Sequence, residues 1–350
     1  MQPSRKIIIR NRIITVAMFL TVFWVLNRIV SFVLEPLSTS SEEMWTRYTN
    51  TENIDTIIVG NSIGEMLDTD IVDSVFGGTS CNMCTPKQNI PISCDAIKVA
   101  ARQNPIKRVI LVSAYDGLTR TKAPVSERIF RRTMIASYPF AKRRYYDFLD
   151  RWTEATKREN FDNTESIRAW FPWIDDSQGD MGYIINNVET KAEEYLSGKK
   201  LGDGYGYSLD TVRYDRVDNG LSNEDERLLN VDLEYARALT RLDVPEGTLG
   251  EYSLRSLDEI CVYCRDNGID FTLVMMPHRS DYKKQYEGYY DTINDYVKNF
   301  VESRGFHYHN CELDDGIHER IPDEYFYDIE HVEGAHGEEL TRVIIEDCCL

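Results

Sequence analysis

Asp55-Thr56-Ile57-Ile58-Val59-Gly60-Asn61-Ser62-Ile63-Gly64 is the stretch on which the reading of this chain turns. An apolar, β-branched run stops abruptly at Gly-Asn-Ser, and a more polar, helix-compatible segment follows. That is the pattern of a buried parallel strand feeding a tight turn. A serine on such a turn stands at the carboxyl edge of a sheet, where open α/β folds bind their ligands. Ser62 is therefore a candidate nucleophile. The competing reading is a serine that caps the following helix. The C-terminal part of the chain bears on that choice.

Working outward, the α/β pattern brackets a long middle. After the strand over 55–59 comes a short amphipathic piece over 68–76, broken by Gly77-Gly78. A polar, cysteine-bearing stretch over 79–89 reads as a loop. Ile92, Ala96, Val99 and Ala100 recur at helical spacing and predict a helix over 90–103, ended by Asn104-Pro105. The β-branched run 108–113 is the next buried strand, and strand–helix–strand at this spacing is a βαβ unit. The pattern lapses over 119–250, then returns with a helix over 254–266, a strand over 270–276, a long helix over 282–304, a short strand over 306–310 and a terminal helix over 333–347. The expected architecture is α/β, one doubly wound, mainly parallel sheet carrying a mid-chain insertion at about 119–250.

The insertion has a locally basic start, with Arg128, Arg131, Arg132, Lys142, Arg143, Arg144 and Arg151. These could meet an anionic surface or form a solvated helical face. Trp152, Trp170 and Trp173 could stack on sugar rings or pack in a core. Gly202-Asp-Gly-Tyr-Gly-Tyr207 lacks the strand and helix flanks of a phosphate loop and reads as a turn.

The N-terminus divides into a basic tail over 1–12, an apolar span over 13–34 and a polar stalk over 35–53, ahead of the domain at 54–350. The span is about the ~20 residues that cross a bilayer, with Arg28 placed to snorkel near its far end. Arg5, Lys6, Arg10 and Arg12 precede it, and Glu35, Glu42 and Glu43 follow. The positive-inside rule puts the start in the cytoplasm and the domain outside, as a single-pass protein of the cell membrane. A cleaved signal peptide is the rival, but Leu-Glu-Pro-Leu-Ser-Thr-Ser is a poor cleavage site. The formal net charge of −18 across 350 residues argues against a nucleic-acid partner, which would need a basic face.

Eight cysteines include two C-x-x-C pairs, Cys81/Cys84 and Cys261/Cys264. Zinc ribbons have closer pairs with turn-rich flanks, and Cys261 and Cys264 lie on an expected helix, where they read as small core residues. No metal and no cofactor is expected. Zinc-dependent hydrolysis through the cysteines with His307, His309 or His318 is a remote rival.

Near the end stands Tyr325-Phe-Tyr-Asp328-Ile-Glu-His331. Asp-x-x-His sets a carboxylate about one turn before an imidazole. The carboxylate can hold Nδ1–H and fix the tautomer, leaving the other nitrogen to take a proton from a serine. Beside a serine on a far-upstream strand-end turn, with α/β pattern between, the motif becomes informative.

On Gly60-Asn61-Ser62 and Asp328-x-x-His331 the chain resembles the SGNH (GDSL-like) hydrolase superfamily. The nearest likeness is to its membrane-anchored bacterial branch, which includes D-alanyl-lipoteichoic acid biosynthesis and polysaccharide O-acetylation proteins. His331-Val-Glu-Gly-Ala-His336-Gly337-Glu-Glu-Leu340-Thr341 keeps the register of that branch's final block, with Glu333, His336 and Gly337 replacing Asn, Gly and Ala. The resemblance implies a flavodoxin-like SGNH fold. It makes Ser62 the nucleophile, His331 the base and Asp328 its orienting acid. It also implies an oxyanion and substrate-binding set of Gly60, Asn61, the N–H groups of Ser62 and Cys84, and the Asn82 side chain. Asn82-Met83-Cys84 stands where the family has Asn-Leu-Gly. The Gly-x-Asn of the third block is missing, replaced by Ser113-Ala-Tyr115-Asp116-Gly117, and one lost oxyanion donor is worth ~2.7–4 kcal/mol.

The implied function is an esterase or O-acyltransferase acting on acyl groups of cell-envelope glycans, with a multi-pass membrane acyltransferase as a candidate partner. A catalytically inactive scaffold of an envelope acylation machine is the alternative. Gly60-x-Ser62-x-Gly64 also fits the nucleophile elbow of α/β-hydrolases, but that elbow follows several earlier strands and here none precedes.

Overall fold

The computed structural model describes residues 5–34, 44, 47–85, 88–114, 117–118, 251–280, 290–326, 328, 330–347 and 349, with isolated positions at 185, 188, 189, 192 and 196. The tryptophans and basic cluster of the insertion, its glycine-rich turn, Tyr115 and Asp116 lie outside them, as does most of the segment over 35–53.

Five strands form one all-parallel sheet: β1 (Thr56–Gly60), β2 (Ser80–Cys84), β3 (Arg108–Ser113), β4 (Asp270–Met275) and β5 (His307–Asn310). Their order is β2-β1-β3-β4-β5, one of the common doubly wound orders, in which the direction of winding reverses between β1 and β3. The register aligns Ile58 with Asn82 on one side and Ile110 on the other.

Alternation along the strands explains the two layers of helix. Ile57, Val59, Val109, Leu111, Phe271 and Leu273 pack on α3 (Ile90–Ala101), α4 (Glu251–Asn267) and α5 (Tyr290–Glu302). Ile58, Ile110, Val112 and Val274 face the other way. They pack with Val72 of α2 (Thr69–Phe76), Ile317 of α6 (Asp315–Arg320) and Leu340 of α7 (Gly337–Arg342). Both faces being covered, the central strands are mainly apolar, as parallel sheets require.

The N-terminal helix α1 (Arg5–Leu34) has a mean hydropathy of 2.0 over its apolar window and is long and apolar enough to cross a membrane. Its apolar side chains point outward, Ile13 and Phe19 being 64% and 67% exposed.

Three elements differ from the sequence expectation. The stretch expected as a loop over 79–89 contains β2, a strand with no β-branched residue. Its polar groups are satisfied locally, Ser80 N–H donating to Asp73 and Ser80 Oγ to the Thr69 carbonyl. Its Cys81 and Met83 join the core. The terminal helix is broken into a 3-10 turn (Gly334–His336), α7 and a π-helical turn (Val343–Asp347). In the last, the consecutive Val343, Ile344 and Ile345 are all fully buried, more than one face of a regular helix would bury in sequence. Residues expected in the stalk also join the core: Met44 and Tyr48 are fully buried, and the Tyr48 hydroxyl donates to the Ala100 carbonyl at 2.7 Å.

Gly60 and Gly64 share a close neighbour in Val112. A Cβ on Gly60 would lie 2.2 Å from the Val112 carbonyl oxygen, and one on Gly64 would lie 2.3 Å from Val112 Cγ2 and 2.7 Å from Cys84 Sγ. Gly60 also has φ of 155°. Gly64→Ala is therefore expected to destabilise the protein by about 1–3 kcal/mol through overpacking. Chemical denaturation measures this, and an unchanged midpoint would contradict the close approach.

Candidate active site

β1 ends at Gly60, Asn61 remains extended (φ −84°, ψ −169°), and Ser62 opens a 3-10 turn, Ser62–Gly64. The serine thus stands at the carboxyl end of β1, beside the crevice where the sheet's winding reverses. It does not cap α2: that is done by Asp68, whose side chain accepts the N–H of Asp70 at 2.8 Å.

The second part of the site is a pinned loop. Phe326 and Val332 form an antiparallel bridge, and the N–H of Glu333 donates to the Tyr325 carbonyl at 2.8 Å. Phe326 and Val332 are buried, and the ring of Tyr325 stacks on His336 at 3.6 Å, nearly parallel at 3°. From this stem rises the segment bearing Asp328 and His331.

Within the loop, Asp328 Oδ1 accepts the N–H groups of Glu330 and His331 at 2.8 and 2.6 Å. Its Oδ2 lies 2.8 Å from His331 Nδ1. His331 Nε2 lies 2.7 Å from Ser62 Oγ, across 269 positions of sequence. The carboxylate selects the tautomer with the proton on Nδ1, which leaves Nε2 to accept the serine hydroxyl. The side chains of His331 and Asp328 keep 19% and 28% of their surface exposed, so a small molecule can reach them.

Electrostatics follow the geometry. Burial disfavours the imidazolium of His331, but its hydrogen bond to Asp328 and the charges of Asp328, Glu330 and Glu65 outweigh this and raise its pKa above the ordinary 6.5. Burial likewise opposes ionisation of Asp328. The His331 hydrogen bond and charge, with the two backbone N–H groups, overcome it and hold the carboxyl below its ordinary 3.8. Glu65, three residues past Ser62, and Glu330 had no motif to mark them in the sequence.

The groups expected to hold an oxyanion are disposed differently. Asn82 Nδ2 donates to the carbonyls of Gly64 and Leu67, both at 2.9 Å, and to that of Glu65 at 3.3 Å. Its Oδ1 accepts the N–H of Cys84 at 2.9 Å. Asn82 is thus a clamp on the serine turn, and both it and the Cys84 N–H are spent within the scaffold. Ser113, in the place of the third block, turns its hydroxyl to the Ala114 carbonyl. Bonding inside the serine turn begins with the N–H of Gly64 to the Asn61 carbonyl, so the turn itself leaves the N–H groups of Ser62 and Ile63 unspent. Asn61 Oδ1 is buried without a hydrogen-bond partner. Gly60 shapes the turn by its close approach to Val112.

The two C-x-x-C pairs stand apart from the serine and histidine. Cys81, Cys84, Cys261 and Cys264 are free thiols. Desolvation pushes the thiols of Cys81 and Cys261 up to about 11 and about 12, which keeps them protonated and poor ligands. Among the described residues no group of three or more His, Cys, Asp or Glu is arranged to hold a metal ion.

No family model matches the chain, and no curated protein matches it.

Three outcomes are expected. The His331 ring, followed by NMR, titrates above 6.5, and Asp328→Asn lowers that midpoint; a midpoint unmoved by the substitution would contradict the pairing. The pair's contribution to stability is complete between pH 3.8 and 6.5. It is lost as pH rises through the raised His331 value and as pH falls through the lowered Asp328 value. Asn82→Ala strands several buried groups and should cost roughly 2–3 kcal/mol in urea unfolding; a cost under roughly 0.5 kcal/mol, the scatter of ordinary surface changes, would refute the clamp.

Proposed function

We propose that the chain is a membrane-anchored, SGNH-like serine esterase or O-acyltransferase acting on acyl groups of cell-envelope glycans. The observation that carries this reading is the continuous chain from Ser62 Oγ through His331 to Asp328, with contacts of 2.7 and 2.8 Å. The parallel sheet with Ser62 at its carboxyl edge supports the SGNH-like assignment. The N-terminal helix, preceded by Arg5, Lys6, Arg10 and Arg12, supports a single-pass anchor with the domain outside the cytoplasm.

In this mechanism Ser62 Oγ attacks the acyl carbonyl as its proton passes to His331 Nε2. Asp328 stabilises the imidazolium that forms. The N–H groups of Ser62 and Ile63 face the oxyanion. His331 then protonates the departing alkoxide, leaving an acyl-serine. Water or a sugar hydroxyl, deprotonated by His331, attacks this ester and restores the serine. With a sugar as acceptor the reaction is transfer, for which a multi-pass membrane acyltransferase is the natural donor partner.

The second reading, an inactive scaffold of an envelope acylation machine, is favoured by one observation. The Cys84 N–H is tied to Asn82 and no asparagine stands at the third block, so two customary oxyanion donors are gone.

Labelling with a fluorophosphonate and turnover of p-nitrophenyl acetate by the full chain in detergent decide between the two. The enzyme reading expects wild type to be labelled and active, with Ser62→Ala and His331→Ala lower by at least about 10³-fold. A folded wild type that is neither labelled nor active would instead establish the scaffold.

A further inference from the structure

The chain leaving β4, residues 276–280, crosses the carboxyl edge of the sheet, with the N–H of Met276 donating to the Ser113 carbonyl at 3.0 Å. Two carboxylates from one later segment grip it. Glu312 accepts the backbone N–H of His278 at 2.7 Å, and the same oxygen lies 3.2 Å from His278 Nδ1. Asp323 accepts the N–H of Ser280 on Oδ1 at 2.8 Å and the Ser280 hydroxyl on Oδ2 at 2.5 Å.

Both carboxylates precede the loop that carries Asp328 and His331. Glu312 is fully buried, and its second oxygen has no hydrogen-bond partner. A buried, half-satisfied carboxylate lowers stability, and such departures from good packing concentrate where position matters for function. Asp323 opens the 3-10 turn Asp323–Tyr325, so its grip acts directly on the stem formed by Tyr325, Phe326, Val332 and Glu333. The stem's other anchors, the buried Phe326 and Val332 and the Tyr325–His336 stack, tie it to the C-terminal layer. Asp323 ties it to the strand edge on whose far side Ser62 sits.

We infer that Asp323 is a positioning residue: its two-pronged hold on Ser280 sets the angle of the stem and thereby keeps His331 Nε2 on Ser62 Oγ. The inference rests on the esterase or transferase reading of that site. A displacement of about 1 Å in a reacting group costs on the order of 10²-fold in rate, so a small rotation of the stem is enough to be felt.

The test is a double-mutant cycle on the full chain in detergent. Asp323→Ala is expected to lower kcat for p-nitrophenyl acetate roughly ten- to hundred-fold, with KM within about twofold. Ser280→Ala lowers it less, and adds nothing in the Asp323→Ala background because the two share one interaction. Asp323→Asn, which keeps an acceptor for the Ser280 N–H, recovers most of the rate. A second readout needs no turnover: the His331 Nε2 resonance, identified by its loss in His331→Gln, moves in Asp323→Ala to the place it takes in Ser62→Ala. An unmoved resonance overturns the inference whatever the activity, as do additive losses or a kcat within twofold of wild type. A resonance that moves in a protein whose wild type shows no turnover upholds the positioning role and rejects the esterase reading alone.

Discussion

The turn from Gly60 to Gly64 lies so close to Val112 that no side chain fits at either glycine. Much else depends on this approach. It brings the end of β1 against β3 at the point where the sheet's winding reverses, and it leaves Ser62 raised between them. Asn82 completes the arrangement from the other side, drawing the Gly64 carbonyl of the turn and those of Glu65 and Leu67 just after it onto β2. The serine is therefore held by packing on one flank and by hydrogen bonds on the other. Such preorganisation lets a hydroxyl meet an imidazole without a search. The repeated glycine that makes the stretch look like a nucleophile elbow has its own cause here, which is the close approach of Val112 to both glycines and of Cys84 to the second.

Much of the fold was legible in the sequence because burial on both faces leaves a plain mark. β1, β3 and β4 are apolar and β-branched, and the helices over 90–101 and 251–267 show the expected period. β2 was not legible. Ser-Cys-Asn-Met-Cys has no strand formers of the usual kind, and its stability comes from contacts with α2 and the serine turn that local pattern does not encode. Phe326 and Val332 were equally hidden, since an isolated bridge has no periodicity to read.

The candidate site divides in the same way. Ser62, Asp328 and His331 stood out because each belongs to a short motif whose chemistry demands that residue type, and the structure brings them together. Two of the expected oxyanion groups, Asn82 and the Cys84 N–H, are engaged within the scaffold. Family likeness assigned Asn82 and Cys84 by position along the chain, whereas hydrogen-bond capacity is spent once, and Asn82 Oδ1 already takes the Cys84 N–H. Glu65 and Glu330 add negative charge around the imidazole without belonging to any motif. Together with Asp328 they make the surroundings of His331 acidic, which favours its charged form.

The separation of 269 positions between Ser62 and His331 has a consequence for how the protein comes into being. Contacts of that span form late, after the sheet has closed its shorter loops. During synthesis or passage across a membrane the serine is present long before its partner. On the proposed reading, a half-made chain carries an inert hydroxyl, and reactivity appears only with the docking of the last loop. On that reading the topology itself sets when the serine can become reactive.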